Sequence, residues 1–461
     1  MTASGAVWRN WARTEHVRPR RVERPSSAAA VQRAVVAAGQ AGLRIKAVGS
    51  GHSFTGIAVA PDVLLDLHDL ELGVDNYSVD NDRGADYSGA DHGGGGAIRV
   101  DVELGRVTLA AGTPLHRLPA LLRPHGLALE NMGDIDRQTI AGATSTGTHG
   151  TGAGFGGLAT QIVALTLVTG DGALLRVSEI ENPDLLPAAR LGLGALGIVV
   201  DVTIQCVPAF LLHAVDAAEP LDAVLESWLE RSETLDHFEF YWFPHTGSAL
   251  TKTNTRLPAD GIRSPLSPVR RWLDDELLAN GLYRATCGIG AALPALVPRF
   301  SRMAERLSGG RDYTDASPRV FVTNRTVRFR EMEYALPLEA VPEALREVRA
   351  LIEERGWRIS FPIEVRSAAA DDLWLSTASG RATGYVAVHR YFREDPTEYF
   401  RAVEAIMRSH DGRPHWGKLH QQDAASLRAV YPRFDDFLAV RDRLDPDHRF
   451  SNPYLERVLG P

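Results

Sequence analysis

The sequence predicts an α+β protein made of two domains, and three observations support this fold class. The chain has 461 residues, whereas a single domain has roughly 150. Its first half alternates short helical patterns with β-rich runs and contains two glycine-rich loops. After about residue 210 the pattern changes to longer helices and scattered strands, so we expect a domain boundary near residues 208–212.

The composition is that of a folded, acidic, globular protein. Apolar residues make up 44% of the chain, too many for a disordered protein, and the net charge is −8. A nucleic-acid-binding protein would need a basic surplus, so no nucleic-acid partner is expected. The two cysteines, Cys206 and Cys287, form no CxxC pair, so we expect neither a disulfide framework nor a thiolate zinc site.

No segment of the sequence has the features of a secretion signal or of a membrane span. The first 25 residues are rich in arginine and lack an apolar core. No stretch approaches the ~20 apolar residues that a membrane helix needs. We therefore expect a cytoplasmic protein and leave peripheral contact with a membrane surface open.

In the first half, apolar spacing and turn residues define the expected elements. Ser26 is the expected N-cap of a helix over 28–41, because apolar residues recur there at helical spacing. Residues 45–48 form a strand that enters the turn Gly49-Ser50-Gly51. Further expected elements are a helix over 115–122 and strands over 63–67, 98–102, 106–110, 162–168, 174–177 and 198–207.

Residues 74–96 interrupt these strands with five aspartates and a run of glycines. Such a composition buries little apolar surface, so we expect a mobile surface loop. Calcium binding by the aspartates is the weaker alternative, because their spacing matches no EF-hand loop.

In the second half, helices are expected over 221–232, 339–355 and 397–408, and strands over 237–243, 327–334 and 385–391. The stretch 257–271 is rich in proline and arginine, so we expect it at the surface. The predicted domains are therefore 1–209 and 210–429. A C-terminal segment, 430–461, is expected to return to the first domain.

The common nucleotide and hydrolase motifs are absent from the sequence. Phe54 stands where a dinucleotide fingerprint starting at Gly49 would need its third glycine. There is no P-loop, HExxH, GxSxG or EF-hand motif. What remains is two glycine-rich loops, each containing one histidine.

These loops, AVGSGHSFTGIAV over 47–59 and TIAGATSTGTHGTGAGFGG over 139–157, combine glycines with hydroxyl side chains. Glycine lets backbone amides approach an anion closely, and the hydroxyls add donors. Two such loops suit the pyrophosphate of an extended dinucleotide. From the residues alone, the alternative to a nucleotide site is that both loops are simply tight turns in a sheet-rich domain.

A third motif, FPIEVRS over 361–367, reads as a strand. Because strand side chains alternate, Ile363 and Val365 should face the core while Glu364 and Arg366 face the opposite side. The carboxylate and the guanidinium could then reach one cleft. The spacing alone favours an exposed ion pair of little energetic value.

Taken together, the motifs resemble a known family. AVGSGHSF, NMGDIDRQTIAGATSTGTHGTG (131–152) and LGALG (193–197) resemble the flavin domain of the vanillyl-alcohol-oxidase superfamily. FPIEVR, HWGKLH (415–420) and NPYLERVLG (452–460) extend the resemblance to its aldonolactone oxidoreductases, with the related alditol oxidases. The resemblance runs from about residue 8 to residue 461 and departs most clearly at loop 74–96.

The resemblance implies a two-domain FAD-binding fold with a sheet-based substrate domain. It implies FAD, bound with its pyrophosphate against the first glycine loop and joined covalently through His52. His149 is expected to be structural, and no metal is expected. The other implied cofactor-binding residues are Val48, Gly49, Ser50, Gly51, Ser53, Phe54, Gly133, Gly142, Thr144, Ser145, Gly147, Thr148, Gly150, Gly197 and Ile198.

The implied catalytic residues are Glu364, Arg366 and Lys418, set over the flavin ring. Oxidation of a CH–OH carbon releases a hydroxyl proton and a hydride, the latter to flavin N5. Glu364, with His389 or His420, is expected to accept or position the proton. Arg366 and Lys418 would stabilise developing negative charge.

Other side chains near these motifs rank lower. His389 and Tyr391 share a strand face that either lines the cleft or packs in the core. His415 and Trp416 are expected to orient Lys418. The aromatic run HFEFYWFP over 237–244 is expected to pack in the sheet rather than stack on substrate.

The expected substrate is an aldonolactone of the L-gulono-1,4-lactone or D-arabinono-1,4-lactone type, and the electron acceptor is O2 or another oxidant. An alditol or a larger natural-product polyol is the alternative within the same class. A nucleotide-binding module without redox turnover and a flavoprotein kept as a structural subunit are the rivals from other classes. A colourless, folded protein would favour the first of these two rivals.

Overall fold

The computed structural model describes residues 6–72, 98–272, 280–307, 310–323 and 325–461. The predicted loop 74–96 therefore lies outside the described residues. In the described ranges, no helix has both the length and the apolar character needed to cross a membrane.

The N-terminal part contains strands β1 Trp8–Arg9, β2 His16–Val17, β3 Arg21–Glu23, β4 Ile45–Val48, β5 Val63–Asp66, β6 Arg99–Asp101, β7 Arg106–Ala110, β8 Leu127–Ala128, β9 Ile162–Val168, β10 Leu174–Ser178, β11 Ile198–Gln205 and β12 Val207–Pro208.

The helices of this part are short except for the first. They are α1 Ala28–Gln40, α2 Leu118–Leu122, α3 Ile140–Ser145 and α4 Leu186–Ala189. Ser27, not the predicted Ser26, is the N-cap of α1, because its hydroxyl accepts the Ala30 amide at 3.3 Å. The apolar face of α1 packs on Ile45 and Val63, which are fully buried.

Two sheets form the framework of the N-terminal part. A parallel sheet in the order β3-β5-β4 carries the first glycine loop at the end of β4, and an antiparallel sheet in the order β10-β9-β11-β7-β6 lies beside it. Leu109, Leu165 and Val202 are buried in the core of the second sheet. The first glycine loop is thus anchored to a buried framework.

The second part is built on an eight-stranded antiparallel sheet in the order β16-β13-β15-β14-β18-β19-β17-β20. The sequence did not predict the two 11-residue strands β13 and β15. Its strands are β13 Phe210–Pro220, β14 His237–Trp242, β15 Ser248–Pro258, β16 Arg311–Ala316, β17 Phe329–Pro337, β18 Ile363–Ala368, β19 Thr383–Tyr391 and β20 Arg413–Pro414. Its helices are α5 Leu221–Glu226, α6 Trp228–Thr234, α7 Pro268–Trp272, α8 Tyr283–Ala292, α9 Val297–Leu307, α10 Ser317–Phe321, α11 Val341–Glu354 and α12 Thr397–Ser409.

The two faces of the large sheet have different surroundings. Helices α11 and α12, with α5 and α6, cover one face and bury Trp228, Ile363 and Val365 in an apolar core. The opposite face carries Glu364 and Arg366 and lines a cavity. Strand alternation therefore separates the core residues of β18 from its charged residues.

The C-terminal segment packs back on the N-terminal part. It forms α13 Ala424–Val430, α14 Phe434–Leu444 and α15 Pro453–Leu459. The Asn452 side-chain amide donates to the carbonyls of Gly56, Ile57 and Val59 at 2.9–3.1 Å. This contact holds the loop that follows the first glycine turn.

Candidate active site

Hydrogen bonds fasten the first glycine loop to the HWGK motif. The Phe54 amide donates to the Gly417 carbonyl at 2.7 Å, and the Thr55 hydroxyl donates to the Trp416 carbonyl at 3.1 Å. These bonds place His52 and Lys418 on the wall of the same cavity.

The second glycine loop is fastened to β18, which carries the predicted catalytic pair, and to the neighbouring strand β14. The Gly152 amide donates to the Ser367 carbonyl at 2.9 Å, and the Thr151 hydroxyl donates to the Phe238 carbonyl at 2.7 Å. Ser367 follows Arg366 in β18. The loop is therefore held against the strand of Glu364 and Arg366, where Ser367 lies 216 residues after Thr151.

A cavity of about 1260 Å³ lies between the two parts of the molecule. Of the predicted cofactor-binding residues, His52, Ser53, Phe54, Gly133 and Thr148 line it. Contact of the others with a cofactor stays a prediction; they are Val48, Gly49, Ser50, Gly51, Gly142, Thr144, Ser145, Gly147, Gly150, Gly197 and Ile198.

The Thr144 hydroxyl is engaged within its own helix, so the predicted donation from this hydroxyl to a cofactor stays untested. The hydroxyl donates to the Ile140 carbonyl at 3.0 Å within α3, and the side chain is buried. A threonine hydroxyl that is already donating to its own helix has no proton left for a phosphate oxygen. Any contact between Thr144 and a cofactor would therefore have to involve the backbone or the hydroxyl lone pairs.

The first glycine loop fits the phosphate groups of FAD. Gly51 has φ +67°, a conformation that glycine adopts without strain. Among the described residues, the backbone amides of Ser50, Gly51, His52 and Ser53 donate to no protein acceptor. A run of consecutive unused amides in a turn is an anion-binding arrangement.

The His52 ring is also consistent with a flavin neighbour. Its Nδ1 atom is buried and has no hydrogen-bond partner in the described part of the chain. The ring lies parallel to that of Trp11, with centroids 6.1 Å apart. Burial lowers the pKa of His52, so the imidazole is neutral and keeps the lone pair that a covalent bond would use.

Glu364 and Arg366 lie within a buried ion-pair network. Their side chains are 6% and 10% exposed, and the Arg366 guanidinium contacts the Glu364 carboxylate directly. Arg366 Nε also donates to Glu239 Oε2 at 3.0 Å. Burial raises the pKa of Glu364 despite the neighbouring Arg366 and Arg325. The alternative of an exposed ion pair is wrong, because both charges are desolvated.

Three further residues of this network were missed from the sequence. The Tyr241 hydroxyl donates to Glu364 Oε1 at 3.2 Å. Arg325 Nη2 lies 2.6 Å from Asp134 Oδ2, which is itself 3.4 Å from Arg366 Nη2. Burial alone would raise the pKa of Asp134, but the two arginines hold it low.

These ion pairs connect the N-terminal part of the molecule to the second part. Asp134 follows Gly133 in the NMGDID motif of the N-terminal part, whereas Arg325 and Arg366 belong to the second part. Its position in this motif was the one feature of the sequence that could have identified Asp134 as a site residue. Tyr241 lay within the aromatic run, and Arg325 lies in no motif.

Lys418 is held by a carboxylate on a neighbouring strand. Its ammonium group contacts Glu331 of β17, and His389 Nε2 lies 3.6 Å from the other oxygen of that carboxylate. Burial alone would lower the pKa of Lys418, but Glu331 and Glu333 more than offset it, so the pKa is raised. Lys418 therefore stays a cation in the cavity.

A second carboxylate of β17 holds His149. Glu333 Oε1 lies 2.9 Å from His149 Nε2, while His149 Nδ1 lies 2.9 Å from the Gly150 carbonyl. A carbonyl can only accept, so Nδ1 carries a proton. Burial alone would raise the pKa of Glu333, but the facing His149 ring holds it well below its usual range.

His149, Glu333 and His415 offer ligand atoms within 4.8 Å of one another. However, His415 Nδ1 accepts the Gly417 amide proton at 3.0 Å, which leaves the remaining proton of a neutral imidazole on Nε2. Burial lowers the pKa of His415 to about 4, so the ring is neutral. This tautomer favours a proton-sharing cluster over a metal site, and the expectation of no metal stays a prediction.

The other predicted residues divide between the cavity and the core. His389 lines the cavity, whereas Tyr391 packs in an apolar cluster with Phe54. His420 lies outside the cavity wall and bonds the Tyr454 hydroxyl at 2.9 Å, which makes it unsuitable as the proton acceptor. Trp416 is buried and donates to the Leu375 carbonyl.

The aromatic run of β14 divides in the same way. Phe238, Phe240 and Trp242 are buried in the core of the second part. Tyr241 and Phe243 instead line the cavity. The prediction of sheet packing therefore holds for the three core side chains and not for the other two.

Comparisons with known proteins agree with this geometry. Residues 202–458 match the family described as D-arabinono-1,4-lactone oxidase, and residues 19–83 and 94–178 match the FAD binding domain family. The L-gulono-1,4-lactone dehydrogenase of Mycobacterium tuberculosis is 43% identical over 99% of both chains. The L-gulonolactone oxidase of Bos taurus is 32% identical over 99% of this chain and 98% of its own.

Solved structures share the fold at lower identity. Cholesterol oxidase from B. sterolicum has a TM-score of 0.79 and 18% identity, covering 100% of this chain and 98% of its own. A solvent-stable cholesterol oxidase has a TM-score of 0.78 and 19% identity, with the same coverage. The predicted two-domain FAD-binding fold of the vanillyl-alcohol-oxidase type is confirmed.

Proposed function

We propose, from the premise that this chain belongs to the aldonolactone oxidoreductase family, that it oxidises a CH–OH group of an aldonolactone with FAD as its cofactor. L-Gulono-1,4-lactone is the first candidate substrate, because the relatives named for it match over nearly the whole chain. The observation that carries the proposal is the convergence of His52, Glu364, Arg366 and Lys418 on one cavity.

FAD, when bound, supplies the hydride acceptor. The chain's own task is to position the CH–OH group and to manage its proton and charge. Glu364 is buried, and its raised pKa makes it a stronger base than an ordinary carboxylate. It accepts the substrate hydroxyl proton, while the Tyr241 hydroxyl and Arg366 hold its Oε1 atom in place.

The cations of the cavity stabilise the negative charge that develops as the proton leaves. Arg366 is fixed by Glu364 and Glu239, and Lys418 is fixed by Glu331, so neither side chain has to reorganise during the reaction. His389 is tied to the same Glu331 carboxylate and to the Pro362 carbonyl, which orients its ring toward the cavity.

The covalent bond from His52 to FAD is part of the proposal. It is supported by the neutral imidazole, the unpartnered Nδ1 atom and the position of the ring on the cavity wall. Precipitation of the pure protein with acid tests it. A yellow pellet is expected, whereas a colourless pellet under a yellow supernatant would refute the covalent bond and leave FAD binding intact.

An anaerobic substrate screen tests the function itself. The lactones should reduce the bound flavin, and alditols such as xylitol should reduce it more slowly or not at all. Readmission of air then distinguishes O2 from another electron acceptor. Reduction by alditols alone would favour the alditol oxidase alternative, and a colourless protein would favour a nucleotide-binding module. The cytoplasmic location and the contact with a membrane stay predictions.

A further inference from the structure

The cavity extends far beyond the space around Glu364 and Arg366. It follows one face of the large sheet from Glu331 on β17, past Glu364 on β18, to Tyr313 on β16. Four strand spacings separate β18 from β16, which is about 19 Å at roughly 4.8 Å per spacing. A simple aldonolactone contains one small ring, so it fills only the part beside Glu364. FAD would occupy the part on the other side of Glu364, against His52 and Lys418, and we call the part from Tyr241 to Tyr313 the outer arm.

The floor of the outer arm is continuous with the catalytic site. Tyr241 pairs with Glu364 across β14 and β18, and Leu250 pairs with Tyr241 across β14 and β15, so the three side chains share a face. Lys252 lies two residues after Leu250 and shares it too, and Tyr313 is at the far end. A ligand held at Glu364 can therefore extend along this face without leaving the cavity.

Tyr313 offers an unused polar group at the far end of the arm. The residue is 7% exposed and lines the cavity. Its hydroxyl forms no hydrogen bond with any residue that the structure describes. The side chain lines the cavity and its hydroxyl is accessible there, so a polar group of a ligand, or water in its absence, is the expected partner.

The roof of the outer arm is apolar. It is formed by Leu282, just before α8, and by Phe300 and Met303 of α9. Leu282 is 39% exposed and Met303 is 38% exposed, so the arm opens to solvent between them. The arm thus presents hydrogen-bonding and charged groups on one side and apolar groups on the other.

A sugar ring is amphipathic in the same way as the outer arm, with hydroxyl groups around its edge and apolar C–H groups on its faces. A hydrocarbon chain would leave the Tyr313 hydroxyl unpaired, and a purely polar chain would not cover Phe300. We propose that the preferred substrate is an aldonolactone carrying a glycosyl extension, with the lactone at Glu364 and the extension in the outer arm. This inference rests on the proposed function and adds its substrate class.

The test compares L-gulono-1,4-lactone with the same lactone carrying a glucosyl group on its C6 hydroxyl. The glucosyl lactone should have a KM at least tenfold lower, with kcat changed less than twofold, because the extension binds equally in the ground and transition states. Tyr313→Phe should raise KM for the glucosyl lactone threefold to tenfold and leave the simple lactone unchanged.

Tyr399→Phe is the matched control. The Tyr399 hydroxyl likewise has no hydrogen-bond partner among the described residues, but it is buried in the core and not on the cavity wall. It should leave KM for both lactones unchanged. Phe300→Ala is a second variant in the arm, and it should raise KM for the glucosyl lactone alone.

Equal KM values for the two lactones, or equal effects of Tyr313→Phe on both, would overturn the inference. Tighter binding of a C6 hexadecanoyl ester than of the glucosyl lactone would overturn it in favour of an apolar ligand. Titration calorimetry on the oxidised holoenzyme separates it from the proposed function. Suppose that neither lactone reduces the flavin but that the glucosyl lactone binds tenfold more tightly, and that Tyr313→Phe removes this difference. The proposed reaction is then wrong, whereas the inference that the outer arm binds a glycosyl group is supported.

Discussion

Replacing Glu364 by glutamine tests the proposed base with little change in shape. The glutamine side-chain oxygen can still accept the Tyr241 hydroxyl, which lies 3.2 Å from Glu364 Oε1. Arg366 keeps the carboxylate of Glu239 at 3.0 Å and that of Asp134 at 3.4 Å, so its charge stays paired. The substitution therefore removes the basic lone pair and one negative charge, and little else.

The expected effect follows from the role assigned to the carboxylate. A positioned general base contributes a factor of roughly 100 to 10,000 to the rate. At about 1.4 kcal/mol per tenfold change, this is about 3–6 kcal/mol of activation free energy. Glu364→Gln should slow flavin reduction by that factor. The FAD content should not change, because the glycine loops that are proposed to bind the cofactor belong to the N-terminal part.

Stopped-flow reduction by L-gulono-1,4-lactone under anaerobic conditions measures the rate, and a pH series adds an independent readout. Because burial raises the pKa of Glu364, the wild-type rate should fall as the pH drops through that raised value, where the base becomes protonated. This acidic limb should disappear in Glu364→Gln. Glu339→Gln, at an exposed position, is the matched control. A flavin-loaded Glu364→Gln protein that reacts within twofold of wild type, with the limb intact, would refute the assignment.

Three further predictions concern the surroundings of this pair. His52→Ala should leave FAD binding non-covalent, so acid precipitation should release all the flavin into the supernatant; retention in the pellet would identify another attachment residue. Glu331→Gln removes the carboxylate that keeps the pKa of Lys418 raised, so the alkaline limb of the flavin-reduction rate should move to lower pH; an unmoved limb would mean that Lys418 is not required as a cation. Asp134→Asn leaves the buried Arg366 and the half-buried Arg325 short of a partner and should lower the free energy of unfolding by about 3 kcal/mol in urea titrations. The exposed Asp372→Asn control should change it by less than about 0.5 kcal/mol, and equal effects would show that the Asp134 contacts contribute nothing.

Local patterns in the sequence predicted the N-terminal elements well. Strands β7 and β9 have the predicted bounds, because each is a short apolar run between turn residues. The N-cap of α1 was placed one residue too early, since Ser26 and Ser27 have the same capping chemistry and only the backbone geometry distinguishes them. Errors of this kind arise at the end of an element when the neighbouring residues do not determine which of two similar residues begins or ends it.

The second part was harder to predict because one face of its sheet is both polar and buried. The long strands β13 and β15 alternate apolar residues with charged residues such as Asp216 and Lys252. In an ordinary sheet such residues face water, whereas here they line a cavity covered by the other part of the molecule. No local pattern distinguishes the two situations.

The candidate site shows the same limit. Glu364, Arg366 and Lys418 could be named because they lie in motifs that resemble the family. Their partners Asp134 and Glu331 are far from them in sequence, and each contact depends on the docking of one chain segment on another. Residues of this kind become visible only when the tertiary structure places their charges together.

The most direct test of the account is an anaerobic titration of the pure protein with L-gulono-1,4-lactone, followed by the flavin absorbance. The account predicts that the absorbance bleaches and that the end point comes at one lactone per FAD in the wild type, with no bleaching of Glu364→Gln on the same time scale. A yellow wild-type protein that no aldonolactone bleaches would contradict the central claim, whatever its fold.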